Sequence, residues 1–384
     1  MPAESSLRIA MFTPWKAQCG ISDYSRHLVE ALKALPDMED VVIVEPPSDA
    51  AKLSTWQAVW RRGARRRLYQ SLGQQMSRQG IHIAHIQHQY FFFGGVSPLK
   101  NRFLDFLQAV RPPVVMTVHE LALPQDSSLL RRLALTKVNR DSFLAPNLQR
   151  LVVHTEADRV ALQNIGCDPD KVIRMPHPVP PAAPMPDAAQ AKRVLNLQGK
   201  QVLTIFGFIS KKKGHFVALE ALRQLPPNVV LLLAGGRHPD DRTDYVDQIY
   251  RRAEAWNLRD RLVVTDYLPE TSIPTVMAAT DIALAPYLQT SGSGSLANLL
   301  AYGRAIVASN IPPHIEIAAS TDPACLHLVA VGNPTALARA VEGLLGDPHG
   351  LRMLQEAALR YAKAHPYLQM ARNLVTLYRD LLRR

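Results

Sequence analysis

The amino-acid sequence predicts an α/β protein made of two Rossmann-like domains that face each other across a cleft. Short segments rich in Val, Ile and Leu alternate with longer segments of helical periodicity along the whole chain, which is typical of parallel sheets with helical crossovers. Near the middle, residues 175–189 carry six prolines and almost no apolar periodicity, which predicts a stiff linker. The length of 384 residues suits two or three domains.

The alternation predicts a first domain over residues 1–180 and a second over residues 181–365. In open parallel sheets ligands bind beyond the carboxyl ends of the strands, so the loops that follow the strands are where a site is expected. The predicted strands of the first domain are Leu7–Thr13, Val41–Glu45, Ile81–Gln87, Val114–His119, Leu151–Thr155 and Val172–Met175. Those of the second are Val202–Phe208, Val229–Ala234, Leu262–Thr265, Ile282–Ala285, Ala305–Ala308 and Leu328–Val331.

Composition limits the classes of protein and partner. No apolar run reaches the ~18 residues of a membrane span, and the N-terminus lacks the order of a signal peptide, so a cytoplasmic location is expected. Three distant cysteines, Cys19, Cys167 and Cys325, predict neither a disulfide framework nor a metal site. The net charge of +11 indicates an anionic partner: nucleic acid, an anionic lipid surface or phosphorylated small molecules. No nucleic-acid-binding motif accompanies the charge, so nucleic acid is not expected.

A loop of alternating glycine and serine is the strongest candidate for an anion site. Ser291, Gly292, Ser293, Gly294 and Ser295 follow a predicted strand and precede a helix that begins near Ser295. Glycines allow close backbone approach, a serine hydroxyl can cap the helix, and the helix N-terminus offers N–H groups to an anion such as a diphosphate. The alternative is an ordinary serine-capped βα loop.

A lysine-rich turn follows the first strand of the second domain, within Gly207–Gly214. A lysine held between strand and helix can neutralise a phosphorylated leaving group, and Lys213 is the best candidate, followed by Lys212. Solvated lysines are the alternative. Further along, Tyr267 and Leu268 follow the third strand of this domain and can form a wall for a nucleobase.

Polar residues also follow the strands of the first domain. Gly20 lies at the turn after the first strand. His88 and Tyr90 come at the end of the third strand, in an aromatic segment that suits a sugar or lipid-linked acceptor or, alternatively, buried packing. After the fourth strand, His119 can hydrogen-bond a hydroxyl or act as a structural histidine, and Glu120 lies beside it.

The order of these motifs resembles glycosyltransferase family 4, whose members have the two-domain GT-B fold, and the similarity extends over nearly the whole chain. Gly207–Gly214 is similar to the family's phosphate segment. The matches continue through Asp266–Tyr287, which is similar to the base-binding loop, helix and strand, and Leu296–Asn310, which is similar to the elements that close the nucleotide-sugar site. Tyr367–Leu382 is similar to the family's C-terminal helix, which crosses back to the first domain. Residues 366–384 are therefore expected to form this helix and not part of the second domain.

The chain departs from the family pattern at three positions. Thr290 and Asn298 occupy the positions of two glutamates, one near the donor sugar and one holding the ribose. Phe208 stands where an arginine is usual, and Lys211 or Lys212 can replace its charge. Asn298 can still hydrogen-bond a ribose hydroxyl, without the strength of a carboxylate. Gln289, Thr290 and Ser291 are then expected to contact the sugar.

The resemblance implies a retaining glycosyltransferase that needs no metal or other cofactor and moves a sugar from a nucleoside diphosphate sugar to an acceptor hydroxyl. In this interpretation Lys213 and Lys212 neutralise the departing diphosphate, Gly20 lets a loop approach it, and His119 hydrogen-bonds the transferred sugar. His88, Tyr90 and Glu120 lie on the acceptor side. A sugar-nucleotide epimerase or a phosphorylase of the same fold, or a non-catalytic nucleotide-sugar-binding protein, are alternatives.

A basic segment near the N-terminus predicts contact with membranes. On a helix through WQAVWRRGARRR the tryptophans share one face and the arginines lie beside and opposite it, which suits an anionic bilayer surface and a lipid-linked acceptor, as in polysaccharide, glycolipid or cell-envelope assembly. A surface helix that packs its tryptophans on the domain is the alternative. The residues concerned are Trp56, Trp60, Arg61, Arg62, Arg65, Arg66 and Arg67.

Overall fold

The computed structural model describes residues 6–47, 62–95, 101–121, 129–237 and 243–383. The chain divides into two compact units: Met1–Pro176 together with Tyr367–Arg384, and His177–Pro366. The sequence had placed the boundaries at 180/181 and 365/366. The difference has a physical cause, because Val179 forms a β-bridge with Pro366 and its N–H donates to His365 O at 2.8 Å. The proline-rich segment therefore packs as part of the second unit from its third residue onwards.

The described part of the first unit contains one six-stranded parallel sheet in the order β2-β1-β3-β4-β5-β6. The strand order reverses between β1 and β3, so the loops after these two strands diverge at that point. The strands are β1 Leu7–Phe12, β2 Met38–Val44, β3 Ile83–His88, β4 Val114–Val118, β5 Leu148–Val153 and β6 Val172–Arg174. The helices are α1 Gly20–Lys33, α2 Arg62–Gln75, α3 Arg102–Leu107, α4 Leu129–Phe143 and α5 Glu156–Ile165.

The second unit also contains a six-stranded parallel sheet in its described residues, in the order β12-β11-β10-β7-β8-β9. Its strands are β7 Gln201–Phe206, β8 Val229–Ala234, β9 Leu262–Val264, β10 Ile282–Ala285, β11 Ile306–Ser309 and β12 His327–Val329. Its helices are α6 Ala188–Val194, α7 His215–Leu222, α8 Tyr245–Ala255, α9 Ile273–Ala279, α10 Gly294–Ala301, α11 Pro312–Ala318, α12 Pro334–Leu345 and α13 Pro348–Ala364.

The central strands are apolar along their length because helices cover both faces of each sheet. β8, VVLLLA, is buried at every position, and β4, VVMTV, likewise. Short side chains start several helices by accepting from their first N–H groups: Asp187 for α6, Asn333 for α12 and Asp347 for α13. The predicted α/β class and both parallel sheets are confirmed.

The last helix, α14 (Tyr367–Leu382), belongs to the first unit. Its apolar face shares a core with α1, and Tyr378 fixes it to the sheet: the Tyr378 hydroxyl lies 2.5 Å from His85 Nδ1, and His85 Nε2 lies 2.8 Å from Thr117 Oγ1. Burial lowers the pKa of His85 to about 3, so the ring is neutral and both nitrogens are used in this chain of hydrogen bonds. The arrangement fixes where the helix lies along the sheet. None of the helices in the described ranges is long and apolar enough to cross a membrane.

Candidate functional site

The strand order of the second sheet reverses between β7 and β10, and the two most distinctive loops of the sequence follow these strands. Such a reversal leaves a crevice at the carboxyl edge of a parallel sheet, and ligands bind there in open α/β folds. Residues 207–214 leave β7, and residues 286–293 leave β10. The chain topology alone therefore brings the lysine-rich turn beside the glycine and serine loop.

Main-chain contacts hold these two loops together. The N–H of Leu288 donates to Lys212 O at 2.8 Å. Gly214 has φ +70°, and a Cβ built on it would lie 1.9 Å from Pro286 O, so only glycine fits. The backbone of the lysine turn therefore packs directly against the residues that follow β10. This contact fixes the direction in which the Lys213 side chain points.

The Lys213 side chain binds the end of β7 and the first turn of α10. Its Nζ donates to Phe206 O at 2.8 Å and to Ser295 Oγ at 2.9 Å. Gly207, with φ +88°, makes room for this contact: a Cβ there would lie 2.3 Å from Ser295 Oγ and 2.7 Å from Lys213 Nζ. The residue as a whole is half-buried, but its amino group is desolvated, and this lowers the pKa of Lys213 to about 7.

The N-terminus of α10 lies at the same place. Ser293 is its N-cap, and the Ser293 hydroxyl accepts from Leu296 N at 3.2 Å. The first N–H groups of a helix have no partner within the helix and carry a partial positive charge. Because Ser295 of the first turn also binds Lys213, an ammonium group and a helix N-terminus converge, and this combination suits a diphosphate.

The residues predicted at the sugar and the ribose lie on the same loop and helix. Thr290, Ser291 and Gly292 are half-buried, while Gln289 is exposed. Asn298 is half-buried on α10, where its Nδ2 donates to Gly294 O at 2.9 Å. This bond turns the amide nitrogen back onto the helix, so the amide oxygen is the atom that can accept from a ribose hydroxyl.

Three glycines bring the ends of β7, β8 and β9 close together beside the lysine turn. The Gly207 N–H donates to Ala234 O at 2.9 Å. Gly235 has φ +150°, and a Cβ built on it would lie 2.5 Å from Gly207 O. A Cβ on Gly236 would lie 3.0 Å from the backbone nitrogen of Tyr267. Phe208 and Tyr267 lie nearly parallel there, with ring centroids 6.3 Å apart. Tyr267 is 51% exposed, so its ring is available for stacking, whereas Leu268 packs against the core.

In the first unit, His119 and Glu120 follow β4 and are both half-buried. The Nε2 atom of His119 lies 2.7 Å from Gln87 Oε1, and its ring meets Tyr24 edge-on with centroids 4.8 Å apart. Glu120 accepts from Gln89 Nε2 at 3.2 Å. Gly20 is the first residue of α1, and a Cβ added to it would meet nothing within 4 Å. Packing among the described residues therefore gives no reason for a glycine at position 20.

The structure argues against the predicted acceptor contacts of His88 and Tyr90. His88 is fully buried among the rings of Tyr90, Phe103 and Phe143, and this burial lowers its pKa to about 3. Tyr90 is 7% exposed and donates its hydroxyl hydrogen to Asn139 Oδ1. Neither side chain reaches a solute, because residues from distant helices close over the strand end. Buried packing, the alternative reading of this segment, is what the structure shows.

The predicted membrane segment lies mostly beyond the part of the chain that the structure describes. Trp56, Trp60 and Arg61 are outside it, and Arg62 is described only as the first residue of α2. Arg66 and Arg67 are exposed and Arg65 is half-buried, and Arg66 Nε lies 3.4 Å from an Asp105 carboxylate oxygen. Within the described residues, no group of three His, Cys, Asp or Glu side chains is placed to hold a metal ion.

Sequence reasoning missed two buried residues beneath the site. Tyr287 follows Pro286 at the end of β10, is 2% exposed, and its ring centroid lies 5.9 Å from Lys213 Nζ. His314 of α11 is fully buried, with its ring 5.3 Å from that of Tyr287. The signal available was weak, since a tyrosine directly after a buried strand is usually part of the core.

The sequence of the second unit, which carries this site, is similar to that of known proteins. Residues 187–363, which lie within the second unit, match the sequence model of the family described as Glycosyl transferases group 1. Over 250 residues, 62% of this chain and 62% of the relative, the protein is 29% identical to a 2-deoxystreptamine glucosyltransferase of Streptomyces kanamyceticus.

Solved structures share the fold over nearly the whole chain. Sucrose-phosphate synthase from Thermosynechococcus elongatus superposes with a TM-score of 0.75 at 17% identity, covering 98% of this chain and 99% of that one. Anabaena Alr3699/HepE in complex with UDP and glucose superposes with a TM-score of 0.74 at 15% identity, covering 97% and 100%. The predicted GT-B fold is thereby confirmed.

The buried amino group of Lys213 predicts a pH dependence of stability. Its pKa is about 7 in the folded protein, below the ~10.4 of an unfolded lysine, so the unfolded state binds more protons between these values. Stability relative to Lys213→Met should therefore rise with pH from about 7 to about 10, by at most ~1.4 kcal/mol per pH unit.

Urea unfolding of both proteins at pH 7, 8 and 9 measures this difference. Lys211→Met is the matched control, because Lys211 belongs to the same turn and is exposed. A difference that stays constant over this range would show that the Lys213 amino group is solvated.

Proposed function

We propose that this protein, whose residues 187–363 match the model of glycosyl transferases group 1, is a retaining glycosyltransferase of family 4 that moves a hexose from a nucleoside diphosphate sugar to an acceptor hydroxyl. One observation carries the proposal: Lys213 Nζ and the N-terminus of α10 meet at the point where the strand order of the second sheet reverses. A site with this charge and this position suits a diphosphate. No metal or other cofactor is part of the proposal.

In this proposal Lys213 is the catalytic cation. As the bond between the sugar and the diphosphate breaks, negative charge grows on the leaving oxygen, and a positioned ammonium group stabilises that charge. The diphosphate itself assists the acceptor hydroxyl on the same face of the sugar, which accounts for retention without a protein nucleophile. Lys212 is exposed at the same turn and adds to the positive potential.

The rest of the nucleotide-sugar is assigned to neighbouring loops. Gln289, Thr290, Ser291 and Gly292 contact the sugar, and Asn298 accepts from a ribose hydroxyl. Phe208 and Tyr267 present apolar rings to the base, with Leu268 beneath. UDP and glucose are the first candidates, because Alr3699/HepE, which shares the fold, was solved in complex with both and a relative is a glucosyltransferase. Thermal-shift measurements with UDP, GDP and ADP rank the bases, because a ligand that binds only the folded form raises its melting temperature.

The first unit is assigned to the acceptor and to the face of the transferred sugar. His119 lies just after the end of β4, where its imidazole can hydrogen-bond the sugar. Its bond to Gln87 fixes the ring orientation. Open space at Gly20 allows a phosphate to approach the start of α1. Glu120 is the remaining polar group on this side.

Replacing Lys213 tests the function directly. Lys213→Ala should reduce release of UDP from UDP-glucose by about 10²- to 10³-fold, because a lost oxyanion-type donor costs ~2.7–4 kcal/mol of transition-state stabilisation. Lys200→Ala, which removes an exposed lysine just before β7, is the control. Turnover that survives in Lys213→Ala at the wild-type rate would remove Lys213 from the site.

The role of Asn298 is tested by comparing two ligands. Asn298→Ala should weaken UDP binding several-fold, and Asn298→Glu should retain or tighten it, because a carboxylate makes a stronger hydrogen bond to a hydroxyl. Neither change should alter the affinity for pyrophosphate, which has no ribose. If calorimetry shows equal UDP affinity in all three proteins, the ribose lies elsewhere.

We also propose that the segment around Trp56 and Trp60 binds an anionic bilayer and that the acceptor is lipid-linked, in polysaccharide, glycolipid or cell-envelope assembly. The protein then acts at the inner face of a membrane as a peripheral protein. The support is the sequence pattern together with the exposure of Arg66 and Arg67. Each basic residue near an anionic leaflet contributes about 1 kcal/mol to binding.

Vesicle sedimentation tests the membrane proposal. The protein should sediment at low salt with vesicles that contain phosphatidylglycerol and not with pure phosphatidylcholine, and replacing Arg61, Arg62, Arg65, Arg66 and Arg67 by Ser should release it. A charge-matched control replaces five exposed basic residues of the second unit by Ser, namely Arg193, Lys200, Arg339, Arg352 and Lys363. Equal release by the control would mean that net charge alone, and not this segment, drives attachment.

A further inference from the structure

A buried tyrosine lies directly beneath the proposed diphosphate site and is not used by the mechanism above. Tyr287 is 2% exposed, and its hydroxyl oxygen has no hydrogen-bond partner among the described residues. A buried hydroxyl without a partner lowers stability, so it is rarely retained without a reason. His314 beside it repeats the pattern: its Nδ1 hydrogen donates to Ser309 O at 2.9 Å, and its buried Nε2 is also unpaired in the described structure.

The surroundings of the hydroxyl indicate what it serves. Burial raises the pKa of Tyr287 to about 12, and the nearby hydroxyls of Ser293 and Ser295 partly offset that rise. Ser295 Oγ lies 2.9 Å from Lys213 Nζ, which in turn lies 5.9 Å from the centre of the Tyr287 ring, and the Tyr287 hydroxyl forms no hydrogen bond with either serine in the described structure. Because it remains protonated throughout the physiological range, the Tyr287 hydroxyl is available as a donor.

The Ser295 hydroxyl oxygen already accepts a hydrogen bond from Lys213. The distance from Lys213 Nζ to Ser295 Oγ is 2.9 Å, and the same ammonium group donates to Phe206 O at 2.8 Å. A diphosphate that accepts hydrogen bonds from this ammonium group competes with Phe206 O and Ser295 Oγ for its hydrogens. If Lys213 turns away, the half-buried Ser295 oxygen loses its donor, which is costly unless another donor replaces it.

We propose that Tyr287 is a positioning residue: when a diphosphate draws the Lys213 ammonium group from Ser295, the Tyr287 hydroxyl donates to Ser295 Oγ and turns the serine hydrogen towards the diphosphate. The Tyr287 hydroxyl, which has no partner among the described residues, is the donor that replaces the ammonium group. The chain of donors then runs from Tyr287 through Ser295 to a phosphate oxygen. This inference rests on the proposed function and adds to it one residue and the direction of its hydrogen bonds.

The test compares Tyr287→Phe with Ser295→Ala and the double variant, by UDP titration calorimetry and by melting without ligand. Tyr287→Phe keeps the ring and removes only the unpaired oxygen, so its melting temperature should equal or exceed that of the wild type. Its Kd for UDP should rise about ten-fold, as expected for a lost hydrogen bond in a charged network. The double variant should bind UDP no more weakly than Ser295→Ala, because the two groups act in series.

Tyr245→Phe is the matched control, since Tyr245 is an equally buried tyrosine of the same unit on α8; its UDP affinity should match the wild type. The inference is overturned if Tyr287→Phe binds UDP as the wild type does, or if the losses of the two single variants add in the double variant. Failure of the proposed function gives a different result: the wild type itself would then bind none of UDP, GDP and ADP, and the inference would fail with it. If GDP or ADP is the nucleotide bound, the same series is run with that one.

Discussion

The close approach of Gly214 to the Pro286 carbonyl is the contact on which the candidate site depends. With any side chain at position 214 the lysine turn would move away from the end of β10, because the space a Cβ would need is already filled. Lys213 would then no longer reach Ser295, and the ammonium group would lie apart from the helix N-terminus. Because Gly207 and Gly214 have no side chain, the backbone can approach closely at both positions. This close approach places the desolvated Lys213 amino group beside the Ser295 hydroxyl.

This contact also explains why Lys213 differs from its neighbours. Lys211 and Lys212 belong to the same turn, but they are exposed to water and salt, which screen the field of a charge. Lys213 is enclosed by a carbonyl oxygen, a hydroxyl and the ring of Tyr287. Its attraction for an anion is stronger because fewer waters compete, and the same desolvation makes its own protonation less favourable.

How much the sequence predicts depends on how local the cause is. The strands were predictable because a strand covered on both faces is apolar along its length, as in β8. The lysine and serine loops were predictable because they directly follow such strands. The burial of His88 was not predictable because Phe103 and Phe143, which pack on its ring together with Tyr90, belong to later helices, and a polar strand end gives no sign of them. The bond of Asn298 to Gly294 O and the burial of Tyr287 were equally hidden, since both depend on side-chain directions and packing.

The hydrogen bond between Tyr378 and His85 joins residues 293 positions apart in the chain, and this has a consequence for synthesis on the ribosome. The second unit is one continuous stretch and has all its residues once Pro366 has been made. The first unit, although it begins the chain, still lacks the helix that covers α1 and completes the hydrogen bonds of His85. We therefore expect an apolar face of its core to stay open until Tyr367–Leu382 has been made, so that the second unit can complete its fold first, the reverse of the usual order for N-terminal domains.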